Sequence, residues 1–373
     1  MAHAYTPELR VVERQTVRKE RRLPLDGQVV VSEGQTVRAE DVVARTELPG
    51  DVDLVNVAHK LSVPPSEVAQ HMLKGEGDSV EAGEVIARSS SFLGLFKSEC
   101  TAPAAGVIEG ISSVTGQVRV RRPPKPVEIT AYVDGRVAEC IEGQGVVIET
   151  VATFVQGILG VGGERVAELR MAVDSPDAVL DGSSLDDSLS GTIAVGGCLA
   201  TRAALERAKE IGLAGLVVGG VGSDGVDHLL GYPLGVAITG QEDTPFTLVL
   251  TEGFGEIRMA QRTFDLLKSR EGAKASIDGA TQIRAGVVRP EVVIPFGDGL
   301  AAGGAEEAAS GGIQAGDTVR IIREPHFGRL ARVIALPPEL TRIETEAHVR
   351  VVTVQTEDGV AVTLPRANIE LIR

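Results

Sequence analysis

Four segments in the first 150 residues share one pattern, a G-x-V-like strand start, a glycine-containing turn and a second β-branched run. They read GQVVVSEGQTVRAEDVVAR from Gly27, LKGEGDSVEAGEVIAR from Leu73, GVIEGISSVTGQVRVR from Gly106 and GRVAECIEGQGVVIET from Gly135. Alternation at a period of two puts successive side chains on opposite faces, and tight turns need the positive φ that glycine adopts without strain. A chain that repeats this unit is committed to short antiparallel hairpins. The repetition predicts a pseudo-symmetric β-barrel over 26–149, preceded by a basic N-terminal arm over 1–25, where VVERQTVRKERR concentrates arginine and lysine.

From about Thr150 the pattern changes. TIAVGG from Thr192 and AGLVVGG from Ala214 are buried-strand runs, and between them TRAALERAKEIG from Thr201 has helical spacing behind a threonine cap. This is a βαβ unit, which the runs GVAITG and FTLVLTEGFG and a helical pattern over 256–272 extend into a small open α/β sheet over 150–296. Residues 297–314 are rich in glycine and alanine and read as a linker. Residues 315–373 alternate again in DTVRII, ARVIAL, HVRVVTVQT and VAVTLP, as expected of a five-stranded barrel. The expected fold class is therefore multidomain, α/β and all-β together.

Composition narrows the function. The chain of 373 residues has 43% hydrophobic residues, 3% aromatics and no tryptophan, so its cores are aliphatic and base-stacking platforms are hard to assemble. A net charge of -15 repels phosphate backbones unless basic residues segregate into a patch. Cys100, Cys140 and Cys198 are far apart, an arrangement that suits reduced thiols and offers no metal-ligand spacing. The N-terminal stretch has no apolar h-region and no apolar run spans a bilayer, which predicts a cytoplasmic protein without a membrane partner.

EGDSVEAGEVIA followed by TAPAAGVIEGI resembles the barrel-sandwich hybrid domains shared by biotinyl and lipoyl carriers. The resemblance implies a modified lysine about seven residues before the Ala-Pro, which here falls on Leu95; Lys97 is two residues away and its neighbours Phe96 and Ser98 match neither carrier motif. No cofactor is expected. Phe92, Leu93, Leu95 and Phe96 form instead an apolar tip that wants a neighbouring domain or a partner to cover it. The α/β region resembles small swivelling domains but lacks a phosphohistidine signature. AGDTVRIIREPHFGRLARVIAL resembles the KOW module, the SH3-like barrel of ribosomal proteins and NusG-type factors, with Ala331 where that family places its glycine. The hairpin carries Arg320, Arg323, Arg329 and Arg332, whose forks suit carboxylate or phosphate.

Other candidates lie in the α/β region. GGVGSDG contains Gly220, Gly222 and Gly225 after a strand, with Glu242 downstream, the pattern of a dinucleotide fingerprint; the helix that follows is cut short at Gly231 and Pro233. Thr251 and Gly253 mark a second turn where backbone N–H groups take anions, and Cys198 before a helix should gain thiolate character. His228 beside Asp227 has no nucleophile at a diagnostic spacing. With no complete catalytic or metal constellation, the residues point to a non-catalytic cytoplasmic adaptor with a protein partner. Two alternatives stay open: a transcription or translation factor whose KOW domain touches nucleic acid, and a small-anion or nucleotide-binding enzyme or sensor.

Overall fold

The structure, a computed structural model, describes residues 8–90, 97–232, 242–281, 288–297, 313–321, 323, 326, 329–337, 340–342, 348–356 and 358–372. Among the described residues β-strand is the commonest structure, arranged in several sheets, and the helices are short. The linker residues 298–312 and the run GVAITG lie outside the described residues.

The basic stretch near the N-terminus is not an arm. It forms the strand Val11–Arg22, antiparallel to Gly145–Gln156 from Val11↔Val155 to Arg22↔Gly145, inside a sheet of thirteen strands. The reason is alternation: Val11, Gln15 and Val17 point inward while Thr16, Arg18, Glu20 and Arg22 face out. A period of two determines the strand whatever the charge of its outward face.

Residues 26–149 also differ from the single unit expected, because they enclose two cores. One core gathers Val17, Val37, Val43, Val137, Ile148 and Phe154 between the three-stranded sheet of Gln28–Val29, Val42–Leu48 and Lys125–Thr130 and the facing strands of the large sheet. The second core, with Val55, Leu61, Ile86, Ile108 and Val118, belongs to residues 52–121. That lobe is inserted between Val42–Leu48 and Lys125–Thr130, which pair antiparallel from Leu48↔Lys125 onward. At its neck Gly50 is required: a Cβ there would sit 2.0 Å from the Arg122 carbonyl oxygen.

Strands Ile193–Val195, Gly215–Val221 and Thr247–Phe254 are parallel neighbours. The helix Arg202–Ile211 connects the first two, opened by Thr201, whose hydroxyl accepts from Ala204 N, and closed by Gly212 at φ 70. It packs Ala204, Leu205 and Ala208 on one face of the sheet, and the helix Gln261–Ser269 packs Phe264 and Leu267 on the other. This second helix begins at Gln261 rather than Glu256 because Ala260 is extended (ψ 131) and gives its N–H to the Glu252 carboxylate.

The C-terminal residues form a seven-stranded sheet around Val319, Ile321, Val333, Val352, Val354 and Ile369. One strand comes from the other end of the chain: Glu8–Leu9 pairs in parallel with Ile369–Ile372. The two chain ends are therefore joined by backbone hydrogen bonding.

Candidate interaction sites

The glycines of the fingerprint-like segment serve close packing. Gly220 lies within the strand Gly215–Val221, and a Cβ on it would come 2.0 Å from the Gly255 carbonyl oxygen. Gly222 precedes the helix Ser223–Leu230, which ends at Gly231 with φ 78. Gly225 lies inside that helix, where a Cβ would meet Leu205 and Val221 at 3.0 Å. Thr251 and Gly253 are not in a strand-to-helix turn: both belong to the strand Thr247–Phe254, and Thr251 is buried with its hydroxyl on Val218 O. Glu242 precedes that strand. Cys198 corrects the thiolate expectation, because burial raises its thiol pKa, Glu256 adds to the rise, and Sγ donates to Asp177 O at 3.0 Å. His228 Nε2 lies 3.2 Å from Glu206 on the neighbouring helix.

The sheet edge bearing Thr251 is occupied by the C-terminal sheet. Arg320, expected among the exposed arginines, is only 2% exposed and points into the junction. Its guanidinium forms an ion pair with Glu252, donates to Thr251 O at 3.3 Å, and reaches Glu370 at 3.5 Å. Glu370 also binds Arg289 at 2.7 Å. Burial pushes the Glu252 carboxyl above the ordinary carboxylate range, against the opposing pull of Arg320 and the Ala260 N–H. Two buried carboxylates and two arginines thus fix the C-terminal sheet on the α/β sheet. Glu252, Glu370 and Arg289 were not legible as a site, since Arg320 finds Glu252 across 68 positions and Arg289 finds Glu370 across 81.

The other three hairpin arginines are exposed, and they divide. Arg329 pairs with Asp358 at 2.9 Å. Arg332 lines a groove of about 330 Å³ shared with Gln261, Arg262, Thr318 and Gln355. Arg323 lies at the surface. They do not form one exposed patch with Arg320: Arg332 lies on the same face of the sheet, but Arg320 is covered there by the α/β sheet.

The apolar tip of Phe92, Leu93, Leu95 and Phe96 lies outside the described residues. Lys97 opens the strand Lys97–Thr101, with Ser90 as its partner on Val85–Ser90. Sequence reasoning missed a different surface on the same lobe. Its four-stranded sheet sets Leu54 beside Arg119, and Val52 and Val107 on either side of Arg121. Val55, Ile108, Val118 and Val120 face the core, so these neighbours face out, with Leu54 63% exposed. Arg121 is held by Glu109 at 2.6 Å and by Gly50 O at 3.1 Å. Arg119 makes no ion pair among the described residues, and it lies across Gly110, where a Cβ would meet its guanidinium at 2.6 Å. A cleft of about 380 Å³ borders the face at Leu54, Glu76, Gly110 and Arg119. The signal was the phase of VDLVN against QVRVR, two alternating strands whose outward positions are aliphatic and arginine.

Among the described residues no group of three or more His, Cys, Asp or Glu side chains is placed to hold a metal ion, and no helix is long and apolar enough to cross a membrane. Comparison of the sequence with protein-family models and with curated proteins finds no match.

Proposed function

We propose that the protein is a non-catalytic adaptor that presents the outer face of its inserted lobe to a protein partner. The observation that carries this reading is the juxtaposition of Val52, Leu54 and Val107 with Arg119 and Arg121 on one exposed sheet face. Exposed aliphatic side chains that adjoin one another and arginine form a patch of the kind that marks interaction sites, and arginine is enriched at interfaces, whereas singly scattered aliphatics are ordinary surface. The buried junction supports it further, since a scaffold transmits position only if its parts are fixed relative to one another. In this reading the lobe and its frame are a barrel-sandwich hybrid without a carrier lysine, the parallel region is a swivelling-type domain, and the C-terminal sheet is an SH3-like barrel of the KOW type.

This reading ranks above nucleic-acid binding because Arg320 is committed internally and Arg329 is paired with Asp358. It ranks above a small-anion enzyme because Thr251 is buried beneath the C-terminal sheet. The test is sedimentation of the protein from native cell extract, wild type against the double change Leu54→Asp and Val107→Asp. An adaptor sediments in a complex well above 39.0 kDa and shifts to its own mass when the face is charged. Sedimentation at monomer mass for both, or in an unchanged complex for both, contradicts the assignment.

A further inference from the structure

Lys19 and Arg21 lie two positions apart on the strand Val11–Arg22, so both turn to the inner face behind Val17. There they meet carboxylates from the α/β side. Lys19 Nζ donates to Glu291 at 2.5 Å, while Arg21 donates to both oxygens of Glu164 at 2.5 and 2.6 Å and, through Nε, to Thr130 O at 2.8 Å. Asp278 stands opposite Glu291 in the antiparallel pair of Lys274–Asp278 with Glu291–Pro295, and among the described residues it accepts the Ala280 N–H, at 2.9 Å. Arg165, on the neighbouring strand, is committed to Thr244 O at 2.6 Å. Among the described residues three carboxylates therefore face two cations, and Asp278 is the one that makes no ion pair.

Tyr132 closes this box from the frame. It is a bulky residue held in the left-handed region at φ 69, a conformation that persists only where its surroundings over-determine it. Tyr132 N donates to Ala39 O at 2.8 Å, Ser276 Oγ donates to Tyr132 O, and the Arg21 guanidinium lies 5.3 Å from the ring centroid. The hydroxyl is buried and faces Glu291, Asp278 and Glu164, with Glu291 the carboxylate that interacts with it as an acceptor. The buried Tyr132 oxygen keeps lone pairs beside this surplus carboxylate, an acceptor for which a protonated Asp278 would be the donor.

We propose that Asp278, with Glu164, Glu291 and Tyr132 around it, is a one-proton site that tightens the joint between the N-terminal strand and the α/β sheet when it is protonated. A proton taken from solvent cancels the surplus charge and converts the carboxyl into a donor, which the Tyr132 oxygen or an adjoining carboxylate accepts. Burial, with Glu164 and Glu291 adding to it, lifts the Asp278 carboxyl to about 6 from 3.8, against the opposing pull of the Ala280 N–H and Lys19. Because the folded value lies above the unfolded one, the folded state binds the proton more tightly. The stability it carries is complete below the unfolded value of 3.8 and is lost as pH rises through about 6.

The test compares unfolding of the full chain with that of Asp278→Asn between pH 4 and 8. A shift of about two pH units corresponds to roughly a hundredfold in the folded-to-unfolded ratio, so the wild type should lose on the order of that factor relative to the variant between pH 4 and 8. Parallel profiles for the two proteins overturn the proposal. Carboxyl NMR of wild-type protein labelled only at aspartate decides the matter even if the variant does not fold. One aspartate titrating near pH 6 is expected, and midpoints below pH 5 for every aspartate would refute it.

Discussion

Replacing Arg320 by alanine should release the C-terminal sheet from the rest of the molecule. Arg320, Glu252 and Glu370 are 2%, 3% and 4% exposed, so the substitution leaves two carboxylates buried, one with Arg289 and the other with the neutral donors Ala260 N–H and Thr251. Breaking a buried pair from one side costs about 3–5 kcal/mol, which at about 1.4 kcal/mol per decade weakens docking on the order of a hundredfold to a few thousandfold. Because burial already lifts the Glu252 carboxyl, protonation offers it an escape, and the loss should shrink as pH falls. The assay inserts a protease site after Gly304 in the linker, cleaves the folded protein and measures co-elution of the two pieces on dilution. Wild-type pieces should stay together, also held by the pairing of Glu8–Leu9 with Ile369–Ile372, while Arg320→Ala pieces separate at higher concentration. The pair Arg320→Met with Glu252→Gln should recover much of the docking, because it removes both charges together. Equal dissociation midpoints for wild type and Arg320→Ala would show that the ion network does not hold the junction.

Two further outcomes follow from the same geometry. Cys198 should react with a disulfide reagent far more slowly than a free thiol in the native protein and at the ordinary rate once unfolded, since burial both shields it and raises its pKa; rapid native labelling would remove that account. With Arg320 buried and Arg329 paired, the intact protein should bind generic RNA no tighter than about 10⁻⁴ M at physiological salt, measured by fluorescence anisotropy. Micromolar binding lost on changing Arg323 and Arg332 to alanine would restore the nucleic-acid reading.

What could be read from the sequence was local. The turns of the repeated hairpins require positive φ, and Gly34, Gly77, Gly83, Gly116 and Gly143 all adopt it. Thr201 and Gly212 cap the helix whose periodicity announced it. What could not be read depends on pairings between distant residues. The strand Val11–Arg22 reads as an arm by its charge, and the strand that pairs with it, Gly145–Gln156, is more than a hundred residues away. The insertion of 52–121 is invisible to local pattern, since Val42–Leu48 and Lys125–Thr130 pair across the whole lobe that separates them in sequence. Arg320 alternates with Val319 and Ile321 in a way that predicts an outward side chain, and only the docked α/β sheet turns that face into an interior. The outward face of the lobe sits between these cases. Each strand's alternation is legible, but the register that places Leu54 beside Arg119 is not.

The most direct measurement of the adaptor assignment is photo-crosslinking in the native cell with a photoreactive residue placed at Leu54, compared with one at Val360, which is exposed on the C-terminal sheet. The account predicts that the Leu54 position captures one defined polypeptide, that Arg119→Glu abolishes the capture, and that the Val360 position does not capture the same polypeptide through that face. Diffuse or absent adducts at Leu54, or a defined adduct indifferent to Arg119→Glu, would contradict it.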